Sequence, residues 1–368
     1  MELLIFLIAI VMIGGLIVVP ALRRMRGGRG GRGAVQGAMR ASDPQEYGFV
    51  PRERLDVRLP GPDRQLIDAL EEVQARQDWQ PAARLLALTE ATSELRWQRV
   101  QTLAGAAAFE LAQAPGQGGM WLRTWRVAAP EDPGAAAVHA EFLVRQALLD
   151  PSSQDFRMIL EEARDVCHEA ARLAPEDPVP HIIELGVARG LAYRQADFEE
   201  LWTKVTKLAP HHMGAHLAAL HYWCEKWHGS QDRADAFTHA AAASAPAKSL
   251  LPALPLFGVF EHLPEANLVR TLYRSEVITK AMEGALYAVR QAPADHPVLP
   301  HVRHLLVFFL VRAERYAEAL EQLRHVDGHV GAVPWSYGAD PAAEYTVYRA
   351  LAVAGWEGGG GTPATLPR

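Results

Sequence analysis

Residues 161–178 read EEARDVCHEAARLAPEDP. This helix-patterned run stops on Ala174-Pro175-Glu-Asp-Pro, where proline cannot continue the helix. The same punctuation recurs at Ala129-Pro130-Glu-Asp-Pro, Ala209-Pro210, Ala245-Pro246 and Ala292-Pro293. Successive prolines stand roughly 45, 35, 36 and 47 residues apart, the range of helix-hairpin repeats. A unit of that length holds two amphipathic helices, which bury their apolar faces only when stacked on neighbours. The pattern predicts an all-α body built as an α-solenoid of helix hairpins.

Working outward, helix starts are marked by capping residues. Asp63 precedes RQLIDALEEVQAR, in which Leu66, Leu70 and Val73 share one face. Pro81 suits the first turn of the next helix. Ser93 caps a run to Ala112, Ser152 or Ser153 caps the run to Ala174, and Asp197 precedes FEELWTKVTKLA. No segment alternates like a strand. After Val326 the pattern decays, leaving a capping helix over residues 340–354 and a glycine-rich tail read as disordered. The expected domains are an anchor (1–22), a flexible linker (23–62), a helical-repeat domain (63–326) and the C-terminal cap and tail (327–368).

Residues 161–178, residues 197–210 (DFEELWTKVTKLAP) and residues 315–326 (RYAEALEQLRHV) resemble the second helix of a tetratricopeptide repeat. The signature's Trp and Gly are missing from most first helices, so the repeats are degenerate. Residues 212–262 are similar to a bacterial, actinobacterial-type family of helical proteins of unknown function. That family is marked by Lys/Arg-Trp-x-Gly-Ser, here Lys226, Trp227, Gly229 and Ser230, and by a downstream Ala-Pro-x-x-Ser-x-Leu. The resemblance implies a tetratricopeptide-like solenoid and brings no activity with it.

Charge and hydropathy divide the chain. Residues 3–19 form an uncharged apolar run, which spans roughly 25 Å as a helix and reaches a bilayer's thickness with its flanks. Arg23, Arg24, Arg26, Arg29 and Arg32 follow it, and the flank before it is Met1-Glu2. Positive charge after the run opposes a cleavable export signal and places the following domain in the cytoplasm. The expectation is a single-pass cell-membrane protein with a large cytoplasmic domain. The arginine–glycine tract fits an orientation signal and lipid contact better than RNA binding, because it abuts the membrane. The first forty residues carry a balance of about +5, which leaves about −11 on the rest. An acidic body disfavours nucleic acid. Two cysteines exclude a disulfide scaffold.

The richest cluster of chemistry-bearing residues is His211, His212, His216, His221, Cys224 and His228. If one helix ran through it, Met213, Leu217, Leu220, Cys224 and Trp227 would form a buried stripe. His221, Cys224 and His228 are ligand types that suit zinc, although a fourth ligand is missing. The Lys226–Ser230 motif explains itself structurally, with Trp227 packing, Gly229 in the left-handed conformation and Ser230 capping the next helix. His168-Glu169 and His301-x-x-His304 are isolated, and no nucleophile elbow, phosphate loop or catalytic acid pair is found. No catalytic residue, cofactor or dedicated metal site is expected. Residues 249–257 (SLLPALPLF) are too apolar for a free loop and would fill a groove, pack between repeats or dock a partner. These features point to a non-catalytic membrane-tethered scaffold that holds a protein or peptide in a repeat groove. A metal-binding protein or enzyme centred on the histidine cluster, or a ligand-responsive sensor, stands as the alternative.

Overall fold

The structure is a computed structural model, and it describes residues 44–264 and 271–366. The expected anchor and its arginine flank lie outside the described residues. No helix among the described residues is long and apolar enough to cross a membrane. The described chain is all-α, with fifteen α-helices and, in place of strands, a single parallel bridge between Asp56 and His329. It forms two compact units. Unit 2 comprises residues 63–246 and interrupts unit 1, whose described residues are 44–62, 247–264 and 271–366.

Unit 2 holds α1 (Arg64–Arg76), α2 (Gln80–Ala87), α3 (Glu94–Gln113), α4 (Met120–Ala128), α5 (Pro133–Leu149) and α6 (Phe156–Leu173). It continues through α7 (Val179–Gly190), α8 (Gln195–Leu208), α9 (Met213–Trp223) and α10 (Gln231–Ala243). Most neighbours in sequence pack on one another, and α3, α5, α7 and α9 also pack each on the next. Small residues permit that close row. Ala104, Ala107, Ala135, Ala136, Ala140, Ala188, Ala215 and Ala219 are buried within it. The intervening helices bury one face only. On α6 that face is Leu160, Ala163, Cys167 and Ala170, and on α8 it is Phe198, Leu201 and Val205. Each fully buried large apolar side chain contributes about 1.5–3 kcal/mol.

At three of its five sites the alanine–proline punctuation becomes one repeated local structure, whereas Ala292 is extended and Ser244, not Ala245, ends α10. Ala129, Ala174 and Ala209 end α4, α6 and α8 with φ of −135°, −137° and −144°. Each carbonyl then accepts from the amide three residues on, that of Asp132, Asp177 or His212. The side chains of those three residues accept from the first amides of α5, α7 and α9 in turn. Asp63 and Ser93 cap α1 and α3 as their positions predict. The expectation for α6 is corrected, because neither Ser152 nor Ser153 caps it. Asp155 precedes its first residue, and the Ser153 hydroxyl instead accepts from Asp155 N.

Unit 1 holds α11 (Leu254–Glu261), α12 (Glu276–Gln291), α13 (Leu299–Arg312), α14 (Tyr316–Val326) and α15 (Pro341–Gly358). α12 packs on α11 and α13, while α14 packs on α13 and α15. The apolar stretch 249–257 is resolved as core. Leu250, Leu251, Leu254, Leu256 and Phe257 are buried, and α12 packs against this segment. Two expected irregular regions are ordered. The linker expectation fails from Tyr47 onward, since Tyr47, Phe49, Leu55 and Leu59 are buried in unit 1. The tail turns back at Gly361, whose amide donates to Trp356 O, and the Trp356 indole donates to Thr362 O at 3.2 Å. A capping box between Thr362 and Thr365 closes that turn.

Candidate functional site

The histidine cluster does not assemble a metal centre. α9 stops at Trp223, so Trp227 and His228 lie beyond it and the expected continuous stripe ends at Cys224. Met213, Leu217, Leu220 and Cys224 are buried, and the Cys224 thiol sits 3.3 Å from Leu220 O. His228 Nε2 lies 2.7 Å from Arg189 O, and the Arg189 guanidinium stands 5.0 Å from the Trp227 ring. No group of three His, Cys, Asp or Glu is placed to hold a metal ion among the described residues. The alternative that gathered His221, Cys224 and His228 around a metal finds no such group among the described residues. The helix carrying the first residue ends before the third, so helical spacing does not relate them.

Within the Lys226–Ser230 motif, Ser230 makes its expected cap and Gly229 serves for a different reason. Ser230 accepts from Arg233 N at 3.3 Å and caps α10. Gly229 is absent from the positive-φ positions, so it is not a left-handed cap. Its need is space instead. A Cβ on Gly229 would stand 1.8 Å from Trp223 O, and Ser230 N donates to that same carbonyl at 3.1 Å. The 224–229 loop folds tightly over the end of α9, and only glycine fits.

The buried charges of unit 2 are spent on holding helices together. Arg99 grips both oxygens of Asp63, at 2.9 and 3.0 Å, and donates to Thr89 and Gln65, pinning the start of α1 to α3. Arg96 Nε meets Asp177 Oδ2 at 2.5 Å, and its Nη1 donates to Leu86 O at 2.7 Å. Glu94 accepts from Met213 N and Gly214 N, placing a carboxylate at the positive end of α9. On α5, Glu141 and Arg145 pair at 2.8 Å. Burial pushes the Glu141 carboxyl up against the pull of Arg145, and pushes the Arg145 guanidinium down. His168 and Glu169 part company, His168 meeting Glu184 at 3.1 Å and Glu169 pairing with Arg126 at 2.7 Å. Burial drives the Cys167 thiol well up, with Glu184 and Glu141 adding to it, so no thiolate is available there at neutral pH.

In unit 1, His301 and His304 are both buried. His304 lies between Pro60 O, 3.1 Å from its Nε2, and the Trp335 indole, which donates to its Nδ1 at 3.0 Å. That pairing fixes a neutral ring with the proton on Nε2. His304 is a bridge between chain segments.

What the sequence reading missed is apolar. Leu88, Val127 and Met158 are 88%, 83% and 62% exposed, and Met120 and Leu149 are exposed as well. All five belong to the first part of unit 2, where α2, α4 and α6 each pack on α5. Val127 was legible in principle, since it stands two residues past the buried Trp125 and so off its face.

In comparison with known proteins, no protein-family model, no curated protein and no solved structure matches the chain.

Proposed function

We propose that this chain is a membrane-tethered scaffold that binds a protein partner and performs no catalysis. Residues 1–22 anchor it in the cell membrane, Arg23, Arg24, Arg26, Arg29 and Arg32 hold the body on the cytoplasmic side, and residues 63–326 act as tetratricopeptide-like repeats. The carrying observation is the set of large apolar side chains exposed on one packed group of helices, Leu88, Met120, Val127, Leu149 and Met158. Exposed apolar side chains on stacked helices favour a protein surface as ligand over a small polar molecule. They also move the partner's place. The row α3, α5, α7 and α9 is largely buried, so a groove along it has little to offer, and the partner meets α4, α6 and the ends of α2 and α5.

The tether is tested by alkaline extraction of membranes, followed by protease treatment of intact cells and of inverted vesicles. The full chain stays in the membrane pellet, and its C-terminus is digested in inverted vesicles only. Removal of residues 1–22 sends it to the supernatant. A full chain that extracts like a peripheral protein, or is digested from outside intact cells, removes the anchored cytoplasmic reading.

A further inference from the structure

Residues 47–61 contain no α-helix, only the 3-10 turn Arg52–Arg54, and unit 1 holds the stretches on both sides of that turn. Much of that grip falls on the main chain. Val50 N donates to Asp327 Oδ2 at 2.6 Å, and Val50 O accepts from Arg349 Nη1 at 2.8 Å. Asp56 N donates to Gly328 O at 2.8 Å, and Asp56 O accepts from Val330 N at 2.7 Å. Gly331 N donates to Leu59 O at 2.9 Å, and Pro60 O lies 3.1 Å from His304 Nε2. Side chains add the register. The Phe49 ring lies 5.4 Å from the Arg349 guanidinium, Tyr47 donates to Glu357 at 2.9 Å, Arg52 pairs with Asp340, and Phe49, Leu55 and Leu59 are buried.

The receiving surface is organised by its own residues. Arg349 meets Asp327 at 3.1 Å, and Tyr345 donates to the same carboxylate at 3.1 Å. At Gly331 the surface meets the segment backbone against backbone. A Cβ on Gly331 would stand 2.6 Å from Leu59 N and 2.7 Å from Arg58 C. Main-chain bonds that any extended peptide can form, with a few buried side chains setting position, are the physics of strand-addition peptide recognition.

We propose that residues 47–61 are an intramolecular peptide ligand, and that Asp327, Gly328, Gly331, His304 and Arg349 line a receptor site for extended peptides that the chain occupies with its own segment. Release of the segment opens the site and adds those residues to the reach of the chain before them. The inference rests on unit 1 alone and does not depend on where a partner meets unit 2.

The test uses the full chain with residues 47–61 replaced by a glycine–serine tract of equal length. A fluorescein-labelled peptide of residues 44–62 is titrated against it and against the unaltered chain, with anisotropy as readout and helicity and melting followed in parallel. The expected result is saturable binding to the altered chain, none to the unaltered one, and binding at least about ten-fold weaker for the same peptide carrying Phe49→Ala. Two results overturn the proposal. One is an altered chain that keeps its helicity and cooperative melting but leaves the peptide unbound. The other is an altered chain that no longer folds, since the segment is then core and not ligand.

Discussion

Replacing Asp177 by alanine lowers the unfolding free energy of unit 2 by about 3–5 kcal/mol, the cost of leaving a buried charge without its partner. Asp177 is 1% exposed and does two things at once. Its Oδ2 neutralises Arg96, whose side chain is itself buried, and its Oδ1 accepts from Val179 N at 2.9 Å to start α7. Burial pushes the Asp177 carboxyl up more strongly than Arg96 pulls it down, so the pair is costly to desolvate and more costly to break. Two further variants separate these effects. Asp177→Asn keeps a cap oxygen and loses only the charge, and it falls between wild type and alanine. Arg96→Met combined with Asp177→Ala recovers part of the loss, because no uncompensated guanidinium remains. Urea denaturation followed by circular dichroism gives all three values. An alanine variant within about 1 kcal/mol of wild type shows that water reaches Arg96 and that the pair is not structural.

Acidification weakens unit 1 steeply, and His304→Gln removes one proton from that slope. Burial, before any other cause, pushes His301 and His304 down to about 3. In the unfolded chain a histidine titrates near 6.5. The unfolded state thus takes up protons from about pH 6.5 downward while the folded state refuses them until about pH 3. Stability is full above the upper value and is lost as pH falls towards the lower one, at about 1.4 kcal/mol per pH unit for each histidine. Glu344 acts with the opposite sign. Burial, then the nearby Asp340, raises its carboxyl to about 7, so its contribution is full below about 4.5 and is lost as pH rises through 7. Between about pH 4.5 and 6.5 it cancels one histidine, and below about 4.5 that opposition ends, so the slope steepens. A denaturation series from about pH 3 to 8 reads this directly. In His304→Gln the amide can still bridge Pro60 O and the Trp335 indole, so the fold is kept while the slope drops. An unchanged slope means that His304 is charged in the folded chain.

The punctuation was legible because proline cannot continue a helix past its first turn, and Ala129, Ala174 and Ala209 all end theirs in one geometry. The residue that caps the next helix was only half legible. Asp132 and Asp177 are ordinary cap residues, whereas His212 does the same task with a ring nitrogen. The division into two units was hidden for a related reason. Ala245-Pro246 reads like every other repeat junction, although the chain leaves unit 2 there. The packed segment 47–61 was invisible because many of its bonds are main-chain bonds to residues such as Arg349, 299 positions away, and a path without α-helix leaves no helical period. The metal reading of His221, Cys224 and His228 assumed one helix through all three. A loop folded over Trp223 O ends that helix early, and the only trace in the sequence is one glycine.

Location and partner are tested together by proximity labelling in cells, with a biotin ligase fused after Arg368. Three chains are compared: the full chain, the chain without residues 1–22, and the full chain carrying Val127→Glu and Met158→Glu. Both substituted side chains are exposed, so the double variant keeps wild-type melting. The full chain labels a reproducible set of cytoplasmic proteins at the membrane. The double variant keeps its membrane position and loses at least one strongly labelled protein from that set. Labelling of extracytoplasmic proteins by the full chain, or an identical set from the folded double variant, contradicts a tethered scaffold that binds through α4 and α6.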